Sequence, residues 1–472
     1  MDKTIRFAII GYLLLLFSAC NAPVKGSTYR KKPNIIILLA DDAGYADFGF
    51  MGSNTIPTPN IDALALDGVV FTDAHVSASV CSPSRAGLLT GRFQQRFGHE
   101  VNLEPDARFP FDSLETTIAE VLSKNGYKTG VVGKWHLGED LRQHPLNNGF
   151  DYFWGFISGS RSYFFDKREL KEPNGNTLME NFEYTDFDGY LTDALGKKSV
   201  EFVEENKAKE QPFFLYVSYN APHTPMEAKK SALEKFKGHP RQKLAAMMWS
   251  LDEAVGLLTN KLKQEGIYDN TLVYFLSDNG GAHNNDSSNA PLKGWKGNQY
   301  EGGIRVPFSM TWKNSIQKPR TFTGLVSSLD IFKTSLAAAE IGYEPDKKLD
   351  GKNLLSMIAS NDQRGHANLF WRKDKMASIR SNDFKLIRLN NDKTVLYNLK
   401  ENLDENLDVS STHQDTVYLL KRKLSQWEKG LSEPLWLESD DWNIVTDKIY
   451  QDLMNNETPL VKSPADLKKI KN

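Results

Sequence analysis

The sequence predicts an α/β fold: a large layered domain around a mostly parallel, mixed sheet, followed by a small antiparallel sheet carrying one helix. Three observations point there. Four separate apolar runs, each ending in polar residues, have the pattern of strands covered on both faces. Helical patterns lie between them, so helix and buried strand alternate over about residues 33–365. Past Arg364 the texture changes to short strands separated by Asn and Asp turn clusters.

What precedes the first run is of another kind. Lys3 and Arg6 form a small basic region, and Phe7 to Phe17 is an apolar stretch too short to span a bilayer, which takes roughly 20 residues. Its end, Phe17-Ser18-Ala19-Cys20, resembles a bacterial lipoprotein signal, without the usual Leu. Residues 1–19 are therefore expected to be a lipoprotein-type signal peptide, with Cys20 lipidated and residues 20–32 serving as a tether. Such a protein is exported and held on a bacterial membrane, in the periplasm or at the cell surface. A net charge of −2 over 472 residues offers nucleic acid no attracting field, so any anion recognition is local. The chain has two cysteines, and if Cys20 carries lipid, Cys81 has no disulfide partner. A buried structural thiol is the ordinary explanation.

Asn34 to Ala40, rich in isoleucine, stops at Asp41-Asp42. Thr129 to Val132 leads to Gly133-Lys134-Trp135-His136, Phe213 to Tyr219 to Asn220-Ala221-Pro222-His223, and Thr271 to Leu276 to Ser277-Asp278-Asn279. Ligands of open α/β sheets bind beyond the carboxyl ends of the strands, so these ionisable groups can share one crevice. Asp112 to Asn125 reads as a helix, with Asp112 and Glu115 at capping-box spacing and Gly126 as its stop. Gln242 to Glu265 reads as a long amphipathic helix ended by Gly266. In residues 366–437, strands Met376 to Arg380, Phe384 to Arg388 and Val395 to Leu399 precede a helix from Gln414 to Leu431, and residues 438–472 read as a charged, extended tail.

The sharpest local signal is Cys81-Ser82-Pro83-Ser84-Arg85-Ala86-Gly87-Leu88-Leu89-Thr90-Gly91. Pro83 suits a first helical turn, which places Cys81 near a helix N-terminus with Arg85 one turn away on the same side. A thiolate nucleophile is one chemistry open to that arrangement. The segment also resembles the type I sulfatase family, in which the cysteine of Cys-x-Pro-x-Arg is oxidised to formylglycine. Asp41-Asp42, Gly133-Lys134-Trp135-His136-Leu137-Gly138, Ala221-Pro222-His223-Thr224-Pro225, Ser277-Asp278-Asn279-Gly280-Gly281 and Lys296-Gly297 with Glu301-Gly302-Gly303 are similar to the family's blocks, in its order. Leu396-Tyr397-Asn398-Leu399 is similar to a strand of its small domain.

The resemblance implies a three-layer, alkaline-phosphatase-like α/β/α domain and a hydrolase of sulfate esters on a polysaccharide or oligosaccharide. It implies a divalent cation, calcium with magnesium as the alternative, held by Asp41, Asp42, Asp278, Asn279 and residue 81, hard oxygen donors of the kind such ions take. It implies that the 3-oxoalanine hydrate formed from Cys81 is the nucleophile, that Arg85, Lys134 and Lys296 stabilise charge, that His223 protonates the leaving oxygen and that His136 accepts a proton from residue 81. Lys293 competes with Lys296, and Trp295 departs from the smaller residue common in the family. Arg161, in an aromatic loop with Phe153 to Phe156 and Tyr163, and His283 are the candidates for substrate contact. Partners would be a sulfated carbohydrate and an enzyme maturing Cys81. Two functions compete: a phosphonate or phosphate ester hydrolase of the same superfamily, and a glycan-binding lipoprotein without turnover.

Overall fold

The isoleucine-rich run forms β1 (Asn34–Ala40), and its alternate side chains enter two different cores. Ile35, Ile37 and Leu39 pack in one, Ile36, Leu38 and Ala40 in the other, so both faces of the sheet need a layer of helices. In this computed structural model, which describes residues 31–103, 115–207, 211–316, 320–360 and 363–470, both layers are present. The expected signal peptide, Cys20, the tether up to residue 30 and Asp112 lie outside the described residues.

The other strands of the main sheet are β2 (Val69–Phe71), β3 (Lys128–Lys134), β4 (Tyr152–Phe156), β5 (Met179–Glu180), β6 (Glu183–Tyr184), β7 (Phe213–Ser218), β8 (Thr271–Ser277), β9 (Phe308–Thr311) and β10 (Arg320–Phe322). Their order is β10-β2-β9-β8-β1-β7-β3-β4-β5-β6. From β8 to β4 the neighbours are parallel, whereas β9, β5 and β6 run antiparallel to their partners. On the first face pack α2 (Cys81–Thr90), α3 (Ile118–Lys124) and α6 (Asp330–Ala338); on the second, α1 (Pro59–Leu66), α4 (Leu191–Asn206) and α5 (Gln242–Gln264). Among the described residues no helix is long and apolar enough to cross a membrane.

α5 stops two residues short of Gly266, whose φ of +66° favours glycine. The helix expected from Asp112 starts later, at Ile118, where a different capping box operates. The Thr117 hydroxyl accepts from the Glu120 amide at 3.1 Å, and Glu120 accepts from the Thr117 amide at 2.9 Å. Glu115 instead meets Arg92 and Lys347 at 3.0 and 2.9 Å.

The second sheet is a meander of β11 (Asn368–Lys373), β12 (Met376–Ser381), β13 (Phe384–Arg388) and β14 (Thr394–Asn398). β11 was not expected. One face packs α7 (Gln414–Glu428) through Leu420, Leu424 and Trp427. The expected extended tail is instead helical: α8 (Asp440–Met454) buries Val445, Ile449, Tyr450 and Leu453 on the opposite face, and α9 (Pro464–Ile470) follows. Ser439 caps α8 by accepting from the Trp442 amide, a polar start that a charge-rich stretch conceals.

Candidate active site

Four parallel neighbours, β8, β1, β7 and β3, end along one edge of the sheet. Asp278 and Asn279, Asp41 and Asp42, Ser218, and Lys134 therefore come together although they are far apart in sequence. Gly133 lies beside Ser218 in register, at φ +117°, and a Cβ on it would stand 2.0 Å from the Ser218 carbonyl oxygen. Glycine at that point lets β3 and β7 deliver Lys134 and Ser218 side by side.

Cys81 is the first residue of α2, after the extended Val80, and Pro83 falls in the first turn. Its buried Sγ donates toward Asp41 Oδ1 at 3.5 Å and Asp42 Oδ1 at 3.8 Å. Burial, then the neighbouring Asp278, push the thiol up, against the lowering that a helix N-terminus gives. One turn on, buried Arg85 gives Nε and Nη2 to Asp278 Oδ2 at 3.0 and 2.7 Å, and Nη1 to Ser218 Oγ at 2.5 Å and the Lys134 carbonyl at 3.1 Å. Ser218 was not singled out from the sequence; its place at a strand end was the available signal.

Lys134 Nζ lies 2.7 Å from Asp41 Oδ2, and Lys296 Nζ 2.8 Å from Asp42 Oδ2. Lys293 does not compete: its ammonium donates to the Glu405 carbonyl and to Asn456 Oδ1, each at 2.8 Å. Burial pushes the Asp42 carboxyl up, but Lys296 and His223 outweigh it and hold the group well below the usual carboxylate range. Asp42 and His136 both have left-handed backbone, at φ 64° and 59°, an uncommon conformation for residues with side chains.

Both histidines are held below their ordinary value in this cluster. Burial, then Lys134, hold His136 well below its ordinary value, and its Nδ1 has no hydrogen-bond partner. His223 Nδ1 lies 2.6 Å from the Thr224 carbonyl oxygen, so that nitrogen carries the proton, and Nε2 stands 3.6 Å from Asp42 Oδ2. Burial, then Lys296, bring His223 down to about 3. The Tyr163 hydroxyl donates to the Asn220 and His223 carbonyls at 2.6 and 2.8 Å and so fixes that loop.

The oxygen donors here, the Asp41 and Asp42 carboxylates and the Asn279 amide oxygen, suit a hard divalent cation. Asp41, Asp42, Cys81 and His223 each present a ligand atom within 4.8 Å of the others. Asn279 donates its amide to Asp42 Oδ1 at 2.7 Å, which leaves its own Oδ1 buried and unpartnered. A buried amide oxygen without a donor, beside carboxylates, is what an absent cation would satisfy.

A cavity of 340 Å³ opens over this edge, lined among others by Asp42, His223, His283, Trp295, Lys296 and Lys462. His283 lies on it, its ring 5.7 Å from that of Trp295. Arg161 does not line it. Its guanidinium is buried, bound to Glu169 at 3.0 Å and to the Ser162 and Asn176 carbonyls, and lies 5.3 Å from the Phe187 ring centroid. The aromatic segment with it is core: β4 takes Phe153 to Phe156 into the sheet, and Tyr163 stacks on Tyr190 at 5.3 Å. The cavity wall missed in the sequence comes from the C-terminal stretch, notably Glu438, Trp442 and Lys462, because an extended tail was expected there.

A model of the sulfatase family matches residues 33–341, and one described as N-sulphoglucosamine sulphohydrolase, C-terminal, matches residues 294–430. The uncharacterized sulfatase YdeN of Escherichia coli K12 is 33% identical over 404 residues, 74% of this chain and 70% of its own length. Arylsulfatase G of Homo sapiens is 32% identical over 400 residues, 76% and 74% of the two chains. The crystal structure of Ps i-CgsB in complex with k-i-k-neocarrahexaose is 35% identical, with a TM-score of 0.82 over 90% of this chain and 100% of that one. The family match starts one residue before β1 and runs past Lys296, through every strand end described above, so the chain belongs to the sulfatase family and is a hydrolase of sulfuric esters.

Proposed function

We propose that the protein removes sulfate from a sulfated polysaccharide or oligosaccharide outside the cytoplasm, as an exported and lipid-anchored enzyme, using formylglycine at position 81 and calcium, with magnesium as the alternative ion. The observation that carries this is the charge inventory of the sheet edge: Asp41, Asp42 and Asp278 are met by Arg85, Lys134 and Lys296. Three anions and three cations cancel, so a divalent ion held by Asp41, Asp42, Asp278, Asn279 and residue 81 leaves a surplus of positive charge in a buried site. An anionic ester is drawn to such a surplus, and charge gathering on its sulfuryl oxygens is stabilised by it. Bound there, the ion supplies Lewis acidity, and the formylglycine hydrate supplies the attacking hydroxyl.

The rest is the work of this chain's side chains. Arg85 is pinned by Asp278 and Ser218, and with Lys134 and Lys296 it orients the sulfuryl group. His223 turns Nε2 to the cavity because Nδ1 is committed to Thr224; the charge of an arriving ester favours protonation there, and Nε2 then gives its proton to the departing alcohol. His136, with a buried Nδ1 that no other group engages, is suited to take a proton from the hydroxyl of residue 81. The carbohydrate part of the proposal is supported by the neocarrahexaose bound to Ps i-CgsB and by the indoles of Trp295 and Trp442 on the cavity wall.

Sulfate release from a panel of sulfated saccharides, read by ion chromatography, tests the function, and mass spectrometry of the Cys81 peptide tests the nucleophile. Turnover of at least one saccharide, an aldehyde mass at Cys81, loss of rate in EGTA or EDTA and a folded but inactive Cys81→Ala variant are expected. Faster turnover of aryl phosphonates or phosphates than of aryl sulfates, or wild-type rates in Cys81→Ala, would contradict the proposal.

A further inference from the structure

The cavity has more positive charge than its own carboxylates neutralise, and the excess lies away from the cysteine. Asp42 is met by Lys296 at 2.8 Å, and Glu438 by Lys373 at 2.7 Å. Lys462, on the same wall, has neither kind of partner: among the described residues no carboxylate lies within ion-pair distance of its ammonium. The nearby Asp466 turns its Oδ2 to the backbone amides of Lys462 and Ser463, at 3.1 and 3.0 Å, and to the Ser463 hydroxyl at 2.9 Å. The Lys462 ammonium is instead seated 5.5 Å from the centroid of the Trp295 ring, which restrains it without neutralising it. The ammonium of a half-buried lysine on a cavity wall, with no carboxylate paired to it among the described residues, is a place for an anion supplied from outside.

Its relation to the sulfate end of the cavity is fixed by one turn. Asn298 accepts from the Trp295 amide at 3.1 Å, Lys296 donates its amide to the Gly281 carbonyl at 3.2 Å, and Gly297, at φ +89°, donates to the Ser79 carbonyl at 2.8 Å. Trp295 and its neighbour Lys296 therefore project from the same tight segment, Lys296 to Asp42 and Trp295 toward His283 and Lys462. A ligand with one anion at Lys296 and another at Lys462 would pass along the indole, the kind of surface that a sugar ring covers.

We propose that Lys462 forms a subsite for a second anionic group, so that the preferred substrate is a saccharide carrying two anions: the sulfate that is cleaved, and a further sulfate or a uronate carboxylate that Lys462 holds. This rests on the carbohydrate sulfatase function proposed above and narrows its substrate class. Lys462 acts in binding and takes no part in bond cleavage.

Sulfate release is measured from matched saccharides: neocarrabiose with one or two sulfates, and a chondroitin-type disaccharide with one sulfate and its carboxylate either free or reduced to the alcohol. In the wild type the doubly anionic member of at least one pair has the lower KM. Lys462→Gln raises that KM about tenfold with kcat little changed, leaves the singly anionic member unaffected, and Lys462→Arg restores the preference. The first pair reports a second sulfate and the other pair a carboxylate. No preference for two anions in either pair, or Lys462→Gln changing both members of each pair alike, overturns the subsite while leaving the sulfatase function standing. No sulfate release from any of these saccharides or from the wider panel contradicts the function itself, and the subsite with it.

Discussion

Ser218 ends β7 with its hydroxyl 2.5 Å from an Arg85 nitrogen that has one other acceptor, the Lys134 carbonyl. Ser218→Ala takes an acceptor from a buried cation and should cost about 1–3 kcal/mol in urea unfolding, with a fall in kcat as the guanidinium loosens. A second single-residue effect concerns pH. His99 is buried, its Nε2 2.9 Å from Ser82 Oγ and its ring 4.9 Å from Trp436, and burial brings it down from 6.5 to about 3. Between those values the unfolded chain binds the extra proton, so this contribution to stability is complete above about pH 6.5 and is lost as pH falls toward 3. Unfolding free energies measured from pH 7 to 4 should show His99→Gln losing less than the wild type, by on the order of a few kcal/mol. Residues of this rank explain what could be anticipated. Asp41, Asp42, Lys134 and Asp278 follow apolar runs and were legible as strand-end chemistry. Arg161 was not, because nothing in its neighbours announces that Glu169 and two carbonyls will claim its guanidinium.

Strands covered on both faces read plainly as continuous apolar runs, and β1, β7 and β8 fall where they were expected; β11 and α8 do not. β11 alternates a buried and a half-buried side, and α8 shows core side chains on one face only, patterns that a charge-rich composition obscures. The anchoring of α8 is specific. The Tyr450 hydroxyl accepts from the Gln299 amide at 2.5 Å, and its ring stacks on Tyr300 at 5.2 Å. The helix thus braces the turn that carries Trp295 and Lys296. Tyr450→Phe should lose about 1–3 kcal/mol and Tyr450→Ala about 3–5 kcal/mol in chemical denaturation. Both should raise KM for saccharides, since the cavity wall loses its brace.

The four-stranded sheet is tied to the rest of the molecule by buried charge. Lys385 on β13 lies 3.0 Å from Glu301 and 3.0 Å from Glu405, all three fully buried, and Glu301 also meets His75 Nε2 at 2.9 Å. Burial raises the Glu301 carboxyl, but Lys385 and His75 outweigh it, whereas Glu405 is left at about 7. Lys385→Met strands two buried acids and should cost about 3–5 kcal/mol, seen as a fall in melting temperature. Glu301-Gly302-Gly303 stood out in the sequence beside Lys296; its tie to the second sheet could not, since neither Lys385 nor Glu405 belongs to a motif and the nearby Leu396-Tyr397-Asn398-Leu399 says nothing of buried charge. At this scale the cavity has two origins. Residues 41 to 297 supply the charged cluster at the strand ends and, with His283 and Trp295, part of the wall, while Glu438, Trp442 and Lys462 add the rest of it. Part of the cavity wall is therefore written in a stretch of the gene apart from the charged cluster. Duplicated copies can change that part of the wall while the charged cluster at the strand ends stays the same.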